Sequence, residues 1–277
     1  MSKPWLHTRA VNWWVLIVLL VGITVVTAFV NLVFFRMDAP DVIVRASLGL
    51  IDWTLMGSAF SLIVIVGGVI FGLGRLRPAE VGLIAARLPE AIIVTALLWG
   101  VTQVLVMVGA WASLGEVPIN PRWAERGVTV MVGALLAQLF GNALAEETIY
   151  RGFLLPQSWL KLPATLLARP GWRLTVAVLI SQSIFALSHI PNRIFNGMSL
   201  ADMAPDMLML LVFGAYYALL YLRTGNLFIA VGVHALANQP FSIVQSDLPS
   251  PLLMTLALLL ALAWPWLCRW RRPADQP

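Results

Sequence analysis

Three groups of polar residues interrupt apolar stretches of this chain, and their types suit hydrolytic chemistry. The groups are Glu146, Glu147 and Arg151, then Phe185 and His189, then His234 and Asn238. Hydrolysis of a peptide bond by an activated water needs a group that accepts a proton from the water and N–H donors that stabilise the oxyanion. Because a carboxylate, two imidazoles and an amide supply those parts, the three groups together indicate a hydrolytic site.

The spacing of the first group separates its two acids. Glu147 and Arg151 are four residues apart, so on a helix they share a face and can form an ion pair with the acid before the base. Glu146 is turned about 100° away from that face. We therefore expect Glu147 and Arg151 to have a supporting role and Glu146 to be the free carboxylate.

Further polar residues precede Glu146 at intervals of four. Asn142 and Gln138 share its helical face, while the rest of that helix is apolar. This stripe predicts a wet cavity beside Glu146. Taken separately, Gln138 and Asn142 could be polar contacts between helices, either histidine could be a helix-to-helix hydrogen bond, and Phe185 could be core or a cavity wall. Their coincidence on three apolar helices favours the catalytic interpretation.

The composition predicts the setting of these residues. The chain has 277 residues, of which 60% are hydrophobic and 11% charged, and its mean hydropathy is +0.87. These values are typical of an integral membrane protein. Ionisable residues inside membrane spans cost about 2.5 to 3.5 kcal/mol each, so the few that occur indicate function. No linker divides the chain, and we expect a single membrane domain over residues 1–277 with a catalytic core at about 127–240.

Apolar runs long enough to cross a bilayer of about 30 Å predict an all-α bundle of about eight transmembrane helices. The sixth run is short, and the seventh and eighth are so close together that one of them could be re-entrant. The runs are approximately Trp13 to Phe35, Trp53 to Gly74, Ala91 to Gly115, Gly127 to Leu155, Leu174 to Asn192, Met207 to Leu222, Asn226 to Ser246 and Leu248 to Cys268.

The basic residues predict the orientation. With the N-terminus inside, 13 of the 18 lysines and arginines fall on the cytoplasmic side of these runs and 5 on the other. We therefore expect a multi-pass protein of the cell membrane with both termini cytoplasmic. The basic residues are scattered over loops and form no patch, which argues against a nucleic-acid partner.

The three groups resemble the motifs of the CAAX protease and bacteriocin-processing family, the type II CAAX prenyl endopeptidase-like intramembrane proteases. The motifs Glu-Glu-x-x-x-Arg, Phe-x-x-x-His and His-x-x-x-Asn occur here in order, within about residues 130 to 240. The resemblance implies a helical bundle with a cavity open to the cytoplasmic side, and an endopeptidase with Glu146 as the base and His189 as its helper. It further implies His234 and Asn238 as the oxyanion site, and a peptide or protein substrate that is prenylated or otherwise membrane-associated.

The resemblance leaves the cofactor open. Family members have long been described as metal-dependent, whereas the best-understood ones look glutamate-dependent, so we expect no cofactor. Zinc is the alternative, with Glu146, His189 and His234 as ligands and Glu147 left as the base. The single cysteine, Cys268, excludes a cluster of several cysteines.

Two other functional classes stay open at this point. The chain could be a noncatalytic membrane scaffold or regulator that keeps the motifs for stability, or a transporter that uses an intramembrane carboxylate as a proton relay. Other protease chemistries lack support, because the sequence has neither the His-Glu-x-x-His of zinc proteases nor a Gly-x-Ser-x-Gly elbow.

Overall fold

Apolar helices make up most of the structure, a computed structural model that describes residues 5–163 and 170–267. The helices are α1 (Trp13–Leu32), α2 (Ala39–Ala46), α3 (Trp53–Leu73), α4 (Leu88–Leu114), α5 (Arg122–Arg126), α6 (Val128–Lys161), α7 (Pro170–Leu187), α8 (Ile190–Phe195), α9 (Leu200–Thr224), α10 (Leu227–Asn238) and α11 (Pro249–Leu267). Single turns of 3₁₀-helix cover Phe34–Arg36, Pro78–Val81 and Ala85–Arg87. Between the described residues, extended pairing is limited to one isolated bridge.

Seven helical stretches of the described chain are long and apolar enough to cross a membrane: those built on α1, α3, α4, α6, α7, α9 and α11. The prediction of an all-α, multi-pass membrane bundle is therefore confirmed. The last residue of the predicted eighth run, Cys268, lies outside the described residues, as does the basic tail that follows it.

The predicted seventh run, Asn226 to Ser246, is only partly helical. α10 has 12 residues, which at about 1.5 Å per residue cover about 18 Å and fall short of a bilayer core. After α10 the chain is extended, and the Ile243 carbonyl and the Gln245 N–H bond to the backbone of Asn120 and Pro118 in the loop after α4, each at 2.9 Å. α11 then begins beside the end of α10, where Ser250 donates to the Ala237 carbonyl at 3.0 Å.

The sixth run is longer than its sequence suggests. α9 covers 25 residues and begins seven residues before the predicted start at Met207. The prediction of a short span was wrong because it counted only uncharged residues, whereas the first turns of α9 carry Asp202 and Asp206. Arg193 neutralises Asp206 through two hydrogen bonds of 2.6 Å and 3.2 Å, which allows this charged turn to pack against α8.

α6 carries the first motif and is wound unevenly. Its 34 residues include two π-helical stretches, Gln138–Asn142 and Glu147–Leu154, in which the hydrogen bonds run from i to i+5. The helix also continues through Pro156, which has no N–H to donate, so one backbone bond is missing where the second π-helical stretch gives way to the α-helical segment that starts at Leu155. Every residue from Glu147 to Leu154 is buried, so this half of α6 forms the centre of the bundle.

Candidate active site

The predicted site residues border one polar cavity of about 370 Å³ between α1, α3, α6, α7, α8, α9 and α10. The cavity brings together residues from all three sequence motifs. Of the predicted residues it is lined by Gln138, Asn142, Glu146, Phe185, His189, His234 and Asn238. Glu147 and Arg151 lie behind this wall and are fully buried.

The cavity extends from Glu146 towards the end of the bundle where α1 ends and α3 begins. Its lining there includes Asn31 near the end of α1, Phe35 in the 3₁₀ turn that follows, and Thr54 in the first turn of α3. This end is opposite the one at which α1 starts. Because α1 is long enough to cross the membrane, a cytoplasmic N-terminus and a cavity open to the cytoplasmic side cannot both hold, and these two predictions exclude each other.

Glu146 lies between the two histidines. Its Oε1 is 3.8 Å from Nε2 of His189, and its Oε2 is 3.5 Å from Nε2 of His234. The Glu146 side chain keeps 19% of its surface exposed, whereas that of Glu147 is fully buried. The structure therefore separates the two acids as the helical spacing predicts, and only Glu146 meets the cavity.

Both histidines are oriented by hydrogen bonds at Nδ1. The Nδ1 of His189 lies 2.8 Å from the Phe185 carbonyl, and because a carbonyl only accepts, this nitrogen must carry the hydrogen. The Nδ1 of His234 donates in the same way to Glu147 Oε1 at 2.8 Å. As neutral rings, both histidines then present Nε2 to the cavity as an acceptor, so the site favours a ligand that brings its own hydrogens, such as water.

Arg151 and Glu147 form the predicted ion pair, with 3.0 Å between Nη1 and Oε1. Arg151 also donates to the Gly214 carbonyl on α9 at 3.2 Å. Burying both charges is tolerable because each has a partner. A relay of contacts therefore runs from Arg151 through Glu147 to His234 and on to Glu146.

Two aromatic rings complete the support of this relay. The Phe185 ring lies 4.3 Å from the Arg151 guanidinium carbon and 4.7 Å from the His189 ring, so it does more than line the cavity. Tyr217 on α9 stacks on His234 with ring centroids 4.4 Å apart and planes at 14°. Sequence reasoning missed Tyr217, because it belongs to no motif and lies in an apolar run that also contains Tyr216 and Tyr221.

The polar stripe before Glu146 faces the cavity along its length. In a π-helical stretch residues four apart fall short of a full turn, whereas in an α-helix they overrun it, so the two windings of α6 keep Gln138, Asn142 and Glu146 in line. The Gln138 Oε1 accepts from Asn142 at 3.4 Å and from Asn238 at 3.0 Å. Asn238, predicted for the oxyanion site, thus reaches the cavity from α10 but is held by Gln138.

Sequence reasoning also missed a second set of polar residues on the cavity wall. Tyr150 donates to Ser188 at 2.7 Å, and Asn192 donates to Asn31 on α1 at 2.8 Å. Arg193, paired with Asp206, lines the same wall. These residues have no helical stripe of their own in the sequence and meet only in the folded bundle.

The donor types around Glu146 would suit zinc. The Nε2 atoms of His189 and His234 face the Glu146 carboxylate, and both Nδ1 atoms are fixed, as in metal-binding histidines. Yet within residues 5–163 and 170–267, no three or more His, Cys, Asp or Glu side chains are placed so that they could hold a metal ion. The chemistry below is therefore derived from the side chains alone.

Comparison with known proteins found one matching family model. Residues 127–239 match the family model described as type II CAAX prenyl endopeptidase Rce1-like, a segment that contains all three motifs. Neither a curated protein nor a solved structure matches the chain. The resemblance that the motifs carry is therefore confirmed by residues 127–239, and it supports a CAAX-type intramembrane protease.

Proposed function

We propose that this protein is an intramembrane endopeptidase that hydrolyses a peptide bond with a water activated by Glu146. One observation carries the proposal: Glu146 reaches the cavity between two imidazole Nε2 atoms, while its neighbour Glu147 is buried and paired with Arg151. A carboxylate that is unpaired by a cation and exposed to a restricted polar cavity is suited to take up a proton and return it.

The reaction balances with the groups at hand. The Glu146 carboxylate accepts one proton from a water that His189 Nε2 helps to hold, and the water oxygen forms a bond to the scissile carbonyl carbon. The carbonyl becomes a tetrahedral oxyanion. Glu146 then gives its proton to the amide nitrogen, the carbon–nitrogen bond breaks, and the products are a carboxylic acid and an amine, between which one proton passes to leave a carboxylate and an ammonium group.

His234 and Asn238 are our candidates for the oxyanion site. The Nδ1–H of His234 already donates to Glu147. His234 can therefore donate from Nε2 only as an imidazolium, in which the second N–H faces the cavity. Asn238 can donate from its amide group once it exchanges its bond to Gln138 for the substrate. Glu147, Arg151 and Phe185 orient these groups without touching the substrate.

The substrate is a peptide or protein that enters the bilayer or lies at its surface, because Glu146 lies within a helix long enough to cross the membrane. Prenylation of the substrate is open to direct test. A farnesylated peptide ending in a CAAX sequence and its unmodified counterpart are the two probes.

Glu146→Gln in the full chain tests the catalytic assignment. The substitution keeps the shape of the side chain and removes the base, so we expect cleavage of the probe to fall by at least about 100-fold, the usual contribution of a general base. Glu116→Gln is the matched control, because Glu116 is exposed and lies outside the cavity. Equal cleavage by the Glu146→Gln and Glu116→Gln variants would show that Glu146 is not the base.

A second measurement covers substrates that resemble neither probe. The termini of membrane and secreted proteins are compared between cells that produce the wild type and cells that produce Glu146→Gln. The proposal expects at least one terminus that depends on Glu146. If none is found and neither probe is cleaved, the noncatalytic scaffold is the better interpretation.

A further inference from the structure

We infer that the active site is entered from the bundle end opposite the N-terminus, so that its substrates are peptides presented at the non-cytoplasmic face of the membrane. The direction of access follows from the cavity and the helices alone. The substrate class rests in addition on the proposed function.

Most of the cavity wall lies on one side of Glu146, and on α6 the lining past Glu146 ends at Tyr150. On α6 the lining continues towards the start of the helix, through Asn142 to Gln138. On α1 it continues towards the end of the helix, through Thr27 and Asn31. The two helices run in opposite directions, so both sets of residues lead from Glu146 to the same end of the bundle.

The other side of Glu146 is closed. All eight residues of the π-helical stretch Glu147–Leu154 are buried, and they separate Glu146 from the end of the bundle at which α6 finishes. The Val81 carbonyl of the loop before α4 lies so close to Gly152 that there is no room for a Cβ atom. Val81 is itself fully buried, so both layers are closely packed.

The N-terminal segment seals this end further. Tyr221 on α9 donates to the Trp5 carbonyl at 3.1 Å, and the Trp5 ring packs edge-on against Trp159 at 5.9 Å. Gln157 is fully buried and accepts from the Val11 N–H at 3.0 Å. Residues 5–11 therefore lie across the ends of α6 and α9, and the N-terminus marks the closed end.

The distribution of basic residues tells which side of the membrane the closed end faces. It carries Arg9, Arg75, Arg77, Arg87, Lys161, Arg173 and Arg223, whereas the loops at the open end carry Arg36, Arg45, Arg122, Arg126 and Arg193. Lys3, Arg169 and the three arginines after Leu267 lie outside the described residues. Basic residues concentrate on the cytoplasmic side of membrane proteins, so the closed end is cytoplasmic.

The orientation of the cavity determines which peptides can reach Glu146. A cytoplasmic protein tail would meet the closed end and would have to cross the bilayer to reach Glu146. An exported peptide, or the outer juxtamembrane segment of another membrane protein, meets the open cavity directly. The site is therefore built for cleavage at the outer face.

Cysteine labelling tests the direction of access without relying on cleavage. In a Cys268→Ser background, which removes the single cysteine, Thr54→Cys reports on the cavity and Ala79→Cys on the closed end. Ala39→Cys, exposed at the start of α2, serves if Thr54→Cys does not accumulate in the membrane. Each variant is treated with a membrane-impermeant maleimide, in intact cells and in inverted vesicles.

We expect Thr54→Cys and Ala39→Cys to be labelled in intact cells, and Ala79→Cys only in inverted vesicles. Three results would overturn the inference. In the first, Thr54→Cys is labelled only in inverted vesicles, and in the second, Thr54→Cys and Ala79→Cys are labelled from the same side. In the third, Thr54→Cys accumulates in the membrane but is labelled in neither preparation. Labelling as expected in a protein that cleaves nothing would instead remove the proposed function and keep the direction of access.

Discussion

Glu147 accepts a hydrogen bond from His234 across 87 residues of sequence, with 2.8 Å between Oε1 and Nδ1. The same oxygen lies 3.0 Å from Arg151. The second acid of the motif therefore links the buried cation to His234. Its neighbour Glu146 faces the other nitrogen of the same ring at 3.5 Å, so adjacent residues hold one imidazole from both sides.

Glu147→Gln should destabilise the protein, whereas Glu146→Gln should not. Removing the Glu147 charge leaves Arg151 buried without its anion, and breaking a buried pair in this way typically costs about 3 to 5 kcal/mol. Thermal unfolding of the two purified variants in the same detergent measures the difference. An unchanged midpoint for Glu147→Gln would mean that Arg151 finds compensation elsewhere.

Tyr217→Leu should lower kcat while Tyr217→Phe preserves it, because the ring that stacks on His234 is what positions the imidazole. Aromatic pairs contribute about 0.5 to 1.5 kcal/mol, which corresponds to roughly a 2- to 10-fold change in rate. Steady-state kinetics on a cleaved peptide separates kcat from KM, and the pH profile of kcat reports on His234.

Tyr216→Phe is the control for the Tyr217 variants, because it keeps the Tyr216 ring, which lies 5.2 Å from the Tyr217 ring, and removes only the hydroxyl. Tyr216 is the sequence neighbour of Tyr217, but its hydroxyl donates to the Met254 carbonyl on α11 at 2.9 Å, away from the site. Its kcat should match that of the wild type. If Tyr217→Phe lost as much activity as Tyr217→Leu, the hydroxyl and not the stacked ring would matter.

Activity should survive removal of metal ions. No three candidate ligands in the described part of the chain are arranged to hold an ion, and the proposed steps use only side chains and water. Dialysis of the active protein against a chelator, followed by elemental analysis and an activity assay, checks this. Zinc in a 1:1 ratio, lost together with activity and restored with it, would favour Glu146, His189 and His234 as ligands instead.

Local periodicity made part of the site predictable. The pairing of Glu147 with Arg151 and the stripe from Gln138 to Glu146 depend only on spacing within one helix, and the structure has both. The bond from Glu147 to His234 and the stacking of Tyr217 join distant segments, so no helical period contains them. The direction in which the cavity opens likewise depends on how the helices pack. For that reason the sequence did not reveal that a cavity open to the cytoplasm and a cytoplasmic N-terminus exclude each other.

In the fold, too, features that depend on local sequence could be predicted and features that depend on contacts between distant segments could not. Hydrophobic runs predicted the long helices, because a bilayer core requires about 20 apolar residues for each crossing. They did not predict that α10 ends at Asn238, since the residues after it remain largely uncharged but pair with the loop after α4 as extended chain. Nor did they predict the first turns of α9, whose Asp206 is neutralised only by Arg193 from another helix.

Gly152→Ala should disrupt the closed end of the bundle. A Cβ atom at Gly152 would collide with the Val81 carbonyl, a backbone atom that cannot move without shifting the loop before α4. Overpacking of this kind costs about 1 to 3 kcal/mol, and displacement of the loop should loosen the seal formed with the N-terminal segment.

Gly109→Ala is the matched control on α4, because nothing lies within 4 Å of its added Cβ and alanine favours the helix by about 0.5 to 1 kcal/mol. Thermal unfolding should therefore show a lower midpoint for Gly152→Ala and an equal or higher one for Gly109→Ala, and equal midpoints for both variants would contradict the close contact between Gly152 and Val81.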